Sequence, residues 1–162
     1  MAITLDGTNG ITFNNSTVQA SAGQVLQVVQ ASLSTQVSTT GTTYVTSGLT
    51  ATITPKFATS KILVTVTGGG SYANTGGAYG ENVLYRNGSQ ISANGVDWAF
   101  YSSAATGSNH SYMYLDSPAT TSATTYTPYF RRSSSGAGGT YYFNLLQSTG
   151  PTVTITLMEI AG

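Results

Sequence analysis

Residues 61–67 have the sequence Lys-Ile-Leu-Val-Thr-Val-Thr, and this stretch decides the fold class. Ile62, Val64 and Val66 occupy every second position, so an extended chain places all three on one face. Such alternation is typical of a β-strand with one face in a hydrophobic core. Similar segments recur about ten times, separated by turn-rich sequence. The sequence therefore predicts an all-β protein, with a jelly-roll-like antiparallel β-sandwich over residues 23–162.

Turn and strand-breaking residues refine this prediction. Asn87-Gly88 is the strongest hairpin signal, and Pro128 predicts an edge strand or an interrupted one. Residues 24–38 favour a strand, although their apolar spacing also suits a short helix. Small polar residues predict three connecting loops that resemble adaptable recognition loops: Gly68–Gly80, Ser102–Asn109 and Ser133–Gly139.

The composition excludes several classes of function. Only 6% of the residues are charged and the net charge is zero, so nothing attracts nucleic acid. The chain has no cysteine, which removes disulfides and thiolate metal sites. We expect no cofactor, no metal, no secretory signal and no membrane insertion. The expected place of synthesis is a cytoplasm, with release by a route other than secretion.

Residues 1–22 differ from the rest and predict a short arm. Ordering about 20 residues costs roughly 30 kcal/mol of conformational entropy. Burying the five apolar side chains of the arm returns roughly 8–15 kcal/mol, and hydrogen bonds narrow the gap without closing it. We therefore expect this arm to be ordered against other chains, for virion attachment or intersubunit β structure, through these residues: Ile3, Leu5, Ile11, Phe13 and Val18.

The last strand carries a second signal of assembly. Val153, Ile155 and Leu157 alternate with threonines, but Met158 and Ile160 are apolar on the opposite face. Either a β-bulge or a strand end buried on both sides at a subunit interface explains this change of pattern. Met158 and Ile160 are therefore candidates for a trimer interface.

The sequence gives little indication of catalysis. His110 is the only histidine, and no G-x-S-x-G motif accompanies it. The five acids, Asp6, Glu81, Asp97, Asp116 and Glu159, are scattered, so a glycosidase-type pair is only weakly indicated. We expect a protein that is not an enzyme.

Aromatic residues are the candidates for ligand binding. Exposed Trp and Tyr beside Asp and Asn suit stacking on a saccharide, while the same residues in a sandwich usually form the core, which is the favoured interpretation. The candidate glycan-binding residues are Trp98, Asp97, Tyr101, Tyr72 and Tyr79.

The opening stretch, residues 3–13 followed by Thr17-Val18-Gln19, resembles the N-terminal segment of phage tail-fibre and virion structural proteins, which often carry a "GITF…DGT.Q" pattern. The body resembles β-sandwich proteins from phages of cyanobacteria and marine bacteria, in the segments 59–64, 84–91, 115–118 and 154–160. Where those fibres often have "PDGT", this chain has Asn14-Asn15-Ser16-Thr17. The resemblance implies a homotrimer, an arm bound to other virion proteins and an outward-facing sandwich.

The main hypothesis is thus a phage virion fibre or receptor-binding protein, assembled in the host cytoplasm, that takes part in host adsorption by contacting a bacterial surface polysaccharide. One alternative is a head-decoration, collar or adaptor protein without glycan binding. Another is a tailspike-type polysaccharide depolymerase.

Overall fold

The computed structural model describes residues 4–6, 10–12, 18–19, 23–74, 80–92, 96–98, 106–134, 138–144 and 152–162. All regular structure in these ranges is β, with no helix, as the sequence predicts. The strands are β1 (Thr4–Asp6), β2 (Gly10–Thr12), β3 (Val18–Gln19), β4 (Val25–Leu33), β5 (Ser38–Thr39), β6 (Val45–Thr46), β7 (Ala51–Ile53), β8 (Lys61–Ala73), β9 (Gly80–Arg86), β10 (Ser89–Gln90), β11 (Val96–Trp98), β12 (Thr106–Asp116), β13 (Thr124–Arg132), β14 (Tyr141–Tyr142) and β15 (Val153–Ile160).

Two antiparallel sheets form the body of the protein. The front sheet has the order β4-β15-β8-β12. Beside the last residues of β8, Tyr72 and Ala73, β14 takes the place of β15 and β5 takes the place of β4. In the back sheet β13 and β9 lie at the centre, with β6 and β7 beside β13 and with β10 and β11 beside β9. This arrangement is consistent with the predicted β-sandwich.

One hydrophobic core joins the two sheets. The predicted alternation in β8 is confirmed, because Ile62, Val64 and Val66 are all buried. Larger side chains fill the space between the sheets: the Phe130 ring of β13 lies 6.0 Å from Tyr141 and 5.5 Å from Phe143. Aromatic pairs at these distances add to the stabilisation from buried area alone.

Pro128 lies in β13, one of the two central strands of the back sheet. Of the two predicted placements the edge strand is wrong, because β13 pairs with β9 on one side and with β6 and β7 on the other, and the interruption is confirmed, because the pairing with β6 and β7 is broken at Pro128. Pro128 faces the gap between β6 and β7, where its carbonyl accepts a 3.0 Å hydrogen bond from the Ser47 N–H. The missing proline donor therefore coincides with an interruption in the neighbouring strand.

The glycine-rich connections hold more β structure than the sequence predicts. Instead of a loop over 68–80, β8 continues to Ala73 and β9 begins at Gly80. Likewise β12 begins at Thr106, inside the loop predicted over 102–109. Glycine and other small residues have low strand propensity. The extended parts of β8 and β12 nevertheless pair with each other, and this pairing satisfies their backbone hydrogen-bonding groups. A bulge at Gly68 and Gly69, both with positive φ, bends β8 where this pairing continues.

Three further predictions concern local structure. Residues 25–33 form β4, so the strand interpretation is confirmed over the helical one. The hairpin at Asn87-Gly88 is also confirmed, with φ of 49° and 81° at its two turn residues. In the arm, β1, β2 and β3 form a small antiparallel sheet through pairs such as Leu5 with Ile11 and Ile11 with Gln19.

Candidate functional site

Met158 and Ile160 lie on the outer face of the front sheet. In β15 the buried residues are Val153, Ile155, Leu157 and Glu159, and the alternation continues without a break to Ile160. A register shift does occur beside Ile160, but its extra residue, Leu26, is on β4. The shift therefore does not turn Met158 or Ile160 into the core. The change of pattern arises because a glutamate occupies an inward position.

Glu159 is fully buried and is held by a set of donors that sequence reasoning missed. Its carboxylate accepts hydrogen bonds from Gln27 Nε2 at 2.6 Å and from the backbone N–H of Lys56 at 2.7 Å. The N–H of Phe57 approaches the same oxygen at 3.4 Å. Burial alone would raise the pKa of Glu159, but these hydrogen bonds lower it below its ordinary value. The only sequence signal was a charged residue at an inward position.

An apolar row crosses the outer face of the front sheet. The strand registers place Val28 opposite Met158, Met158 opposite Leu63, and Leu63 opposite Leu115. Cross-strand neighbours in such pairs have Cβ atoms about 5 Å apart, so the four side chains form a continuous surface. We call these four residues the apolar row. Its two ends, on β4 and β12, are 57% and 51% exposed.

The apolar character extends beyond the row on both sides. Val25, which is 55% exposed, pairs with Ile160 at the end of the sheet next to Gly23 and Ala161. Met113, on the other side, is 72% exposed. The outer face of the back sheet is different: its exposed threonines bond in pairs, with Oγ–Oγ distances of 2.8 Å for Thr52–Thr125 and 3.2 Å for Thr50–Thr127.

The junction with the arm and the C-terminus lie together at one end of the body. The N–H of Gly23 donates to the carbonyl of Ala161 at 2.8 Å, and the N–H of Ala161 donates to the carbonyl of Gln24 at 2.8 Å. Gly162 lies so close to Thr59 that a Cβ would come within 2.1 Å of its carbonyl oxygen. The same end carries the exposed ring of Phe57. We call it the arm end.

Three of the five candidate glycan-binding residues have their backbone at the opposite end of the strands. Tyr72 pairs with Gly107 and with Tyr142 near the end of β8, eleven residues from Lys61. Asp97 pairs with Glu81, and Trp98 pairs with Gly80 at the start of β9. A Cβ at Gly80 would overlap the ring of Tyr141, so these strand ends are adjacent. Tyr79 and Tyr101 lie outside the described residues.

Three of the five candidate arm residues lie in the small sheet of the arm, and two tyrosines of β12 lie against the core. Leu5, Ile11 and Val18 lie in β1, β2 and β3, while Ile3 and Phe13 lie outside the described residues. Tyr112 and Tyr114 of β12 pack against the hydrophobic core. The Tyr114 hydroxyl donates to the carbonyl of Ile91 at 2.9 Å. Burial raises the pKa of Tyr112 well above its ordinary value.

A half-exposed aromatic pair on the back sheet was not anticipated. Tyr85 and Tyr129 stack with their ring centroids 3.9 Å apart. Nearby, the Arg131 guanidinium lies 4.4 Å from the centre of the Tyr44 ring, and Tyr44 donates to Glu81 at 2.9 Å. The strand registers that align these residues come from long-range pairing, which local sequence does not indicate.

The acids Asp116 and Glu81 are engaged inside the fold. Asp116 accepts from Arg86 at 2.9 and 3.0 Å and from the Tyr126 hydroxyl at 2.6 Å. Glu81 forms an ion pair with Arg131. The backbone of Asp97 pairs with Glu81, five residues along β9 from Arg86, which is roughly 17 Å of strand.

Among the described residues, no three His, Asp or Glu side chains are grouped as metal ligands would be. The same part of the chain contains no helix that is long and apolar enough to cross a membrane. Neither the scan against protein-family models nor the search of curated proteins gave a match to this chain.

Proposed function

We propose that this protein is a structural component of a bacteriophage virion: a non-enzymatic, homotrimeric fibre or receptor-binding protein. Residues 1–22 attach it to other virion proteins, and a jelly-roll-like head contacts a polysaccharide on the bacterial surface. The resemblance of the opening stretch and of the body segments to phage virion proteins supports the class. The arrangement of the body supports the division of roles between its two ends.

The observation that carries the proposal is the distance between the point where the arm joins the body and the strand ends that hold the candidate glycan-binding residues. The arm joins the body at Gly23, beside Ala161, while the backbone of Tyr72 and Trp98 lies at the opposite strand ends. Along β8, the eleven residues from Lys61 to Tyr72 correspond to roughly 36 Å of extended strand. A protein fixed by its arm therefore holds the strand ends that carry Tyr72 and Trp98 away from the particle.

The engagement of the acids supports a binding role over a depolymerase. Asp116, Glu81 and Glu159 each accept two or more hydrogen bonds from groups within the fold. A catalytic acid has to change its protonation state at the substrate, which these internal bonds oppose. Weak contacts to a saccharide are sufficient in a virion, because many identical heads raise the effective concentration.

The experiment measures binding of the purified protein to a panel of bacterial cells and to their extracted polysaccharides. Trp98→Ala tests the far end, and Phe57→Ala is the matched control, because Phe57 is an exposed aromatic residue at the arm end. We expect Trp98→Ala to weaken binding roughly tenfold, as loss of a stacked aromatic contact does, and Phe57→Ala to leave it unchanged.

Three results would contradict parts of the proposal. Equal binding by the two variants would remove the far end as the site. Absence of binding by the unaltered protein, together with its location on a capsid or collar, would favour a decoration or adaptor protein. Release of reducing ends from the polysaccharide would identify a depolymerase.

A further inference from the structure

The outer face of the front sheet is almost free of charge. Apart from the apolar row, its described positions on β4, β15, β8 and β12 are threonines, serines, a glutamine and the apolar residues Val25, Ile160 and Met113, and Lys61, opposite Ile160, carries the only charge among them. Exposed apolar patches of this kind on a soluble protein usually mark a contact site. The absence of acidic side chains and the single lysine give nothing that would select a charged partner.

The rest of the chain indicates which partner covers this face. The net charge is zero, and the acids Glu81, Asp116 and Glu159 are occupied by internal bonds. A surface with so little charge gives weak protection against self-association, and identical copies do not repel one another. The one partner always present at matching concentration is another copy of this chain.

The size of the face is adequate for such a contact. Four strands about 4.8 Å apart and eight residues of about 3.3 Å each give an area of roughly 500 Å². Two copies in contact would bury about 1,000 Å², which reaches the lower bound for a specific interface. This area already includes Val25, Ile160 and Met113, each of which is partly or largely exposed.

We infer that the apolar row, Val28-Met158-Leu63-Leu115, is the surface through which copies of this chain contact one another. The inference rests on the proposed function only for the number of copies, which is three there. In a trimer the three copies of the row would face one common axis, whereas in a dimer the two rows would pack against each other face to face.

The test is the molar mass of the full chain by light scattering after size exclusion, at about 100 µM and at tenfold dilution. Leu115→Glu and Val28→Glu place a carboxylate at either end of the row, where the side chain is exposed in the single chain. Thr52→Glu is the control, because it adds the same charge to an exposed position on the back sheet.

We expect an oligomer for the unaltered chain and for Thr52→Glu. In the two row variants the dissociation constant should rise roughly a hundredfold, since a carboxylate would be buried without a partner. Leu115→Ser, which adds no charge, should give a smaller shift in the same direction, and circular dichroism should show the same strand content in all variants.

A monomeric unaltered chain at the higher concentration overturns the inference, and so does an oligomer that both glutamate variants leave intact. These outcomes are separate from the fate of the proposed function. A dimer that dissociates in the row variants supports the surface and contradicts the trimer. Glycan binding by a monomeric protein supports the receptor role and contradicts the surface.

Discussion

Glu159→Gln tests whether the buried carboxylate stabilises the arm end of the body. Glutamine has the same shape, but one of its two terminal atoms becomes an NH₂ group. It then faces either Gln27 Nε2, now 2.6 Å from an oxygen, or the Lys56 N–H, now 2.7 Å from the other. One donor therefore loses its acceptor in a site without solvent. A hydrogen bond to a charged group contributes about 1.5–3 kcal/mol, and a buried unsatisfied donor costs about 1–3 kcal/mol.

From these terms we expect Glu159→Gln to lower the free energy of unfolding by about 3 kcal/mol at neutral pH. In a protein of this size that corresponds to a fall in Tm of roughly 6–12 °C. Urea unfolding followed by tyrosine and tryptophan fluorescence measures the difference. All variants are compared at one chain concentration, because association changes apparent stability.

The pH dependence gives an independent check. The pKa of Glu159 is lowered in the folded protein, because the hydrogen bonds it accepts outweigh the effect of burial. Its stabilisation is therefore fully present above the ordinary glutamate pKa of about 4.3 and is lost as the pH falls through the folded value. The difference between the unaltered protein and Glu159→Gln should shrink below about pH 4.

Glu81→Gln serves as the comparison, because hydrogen bonds from Arg131 and Tyr44 lower the pKa of Glu81 despite its burial. In the double variant Glu81→Gln/Glu159→Gln, the free energy of unfolding should no longer show most of the decrease at acid pH that these two carboxylates cause. If Glu159→Gln were as stable as the unaltered protein at neutral pH, or if the difference stayed constant in acid, the reasoning about the buried carboxylate would be refuted.

Three further predictions concern two glycines and the arm. Gly80→Ala should destabilise by about 1–3 kcal/mol in urea, because its Cβ would overlap the buried ring of Tyr141; Gly138→Ala, where a Cβ meets nothing within 4 Å, is the control, and equal effects would contradict the argument. Gly88→Ala should cost about 1 kcal/mol, since φ is +81° there, and an unchanged midpoint would count against that strain. Deleting residues 1–22 should leave a folded body that no longer incorporates into particles, so normal incorporation would exclude the arm from attachment.

The sequence predicted best where a local pattern coincides with the core. The alternation in 61–67 and the turn at Asn87-Gly88 depend on neighbouring residues alone, and both are confirmed. The extension of β8 through Gly68–Ala73 could not be predicted in this way. Its residues have low strand propensity, and the pairing with the start of β12 stabilises them from more than thirty residues away.

For the apolar row, too, local pattern predicts which way a side chain faces, but not which residues become its neighbours. Alternation alone indicates that Met158 and Ile160 face away from Leu157, and the structure agrees. That Met158 joins Val28 and Leu63 in a single row depends on the registers of three strands, which a sequence does not specify locally. The sequence indicates Glu159 only as one of five scattered acids, since its donors come from β4 and from the segment before β8, both distant along the chain.

The bonds between Gly23 and Ala161, and between Ala161 and Gln24, make the body almost a closed circle of chain from which residues 1–22 branch. A short linker from Gly162 back to Gly23 would complete the circle, and new termini at the exposed turn around Gly88 would leave both sheets intact. A protein fused after Gly162 would instead sit beside Gly23, where the arm leaves the body, and crowd that junction. A cargo intended to leave that junction free should therefore be inserted at the turn.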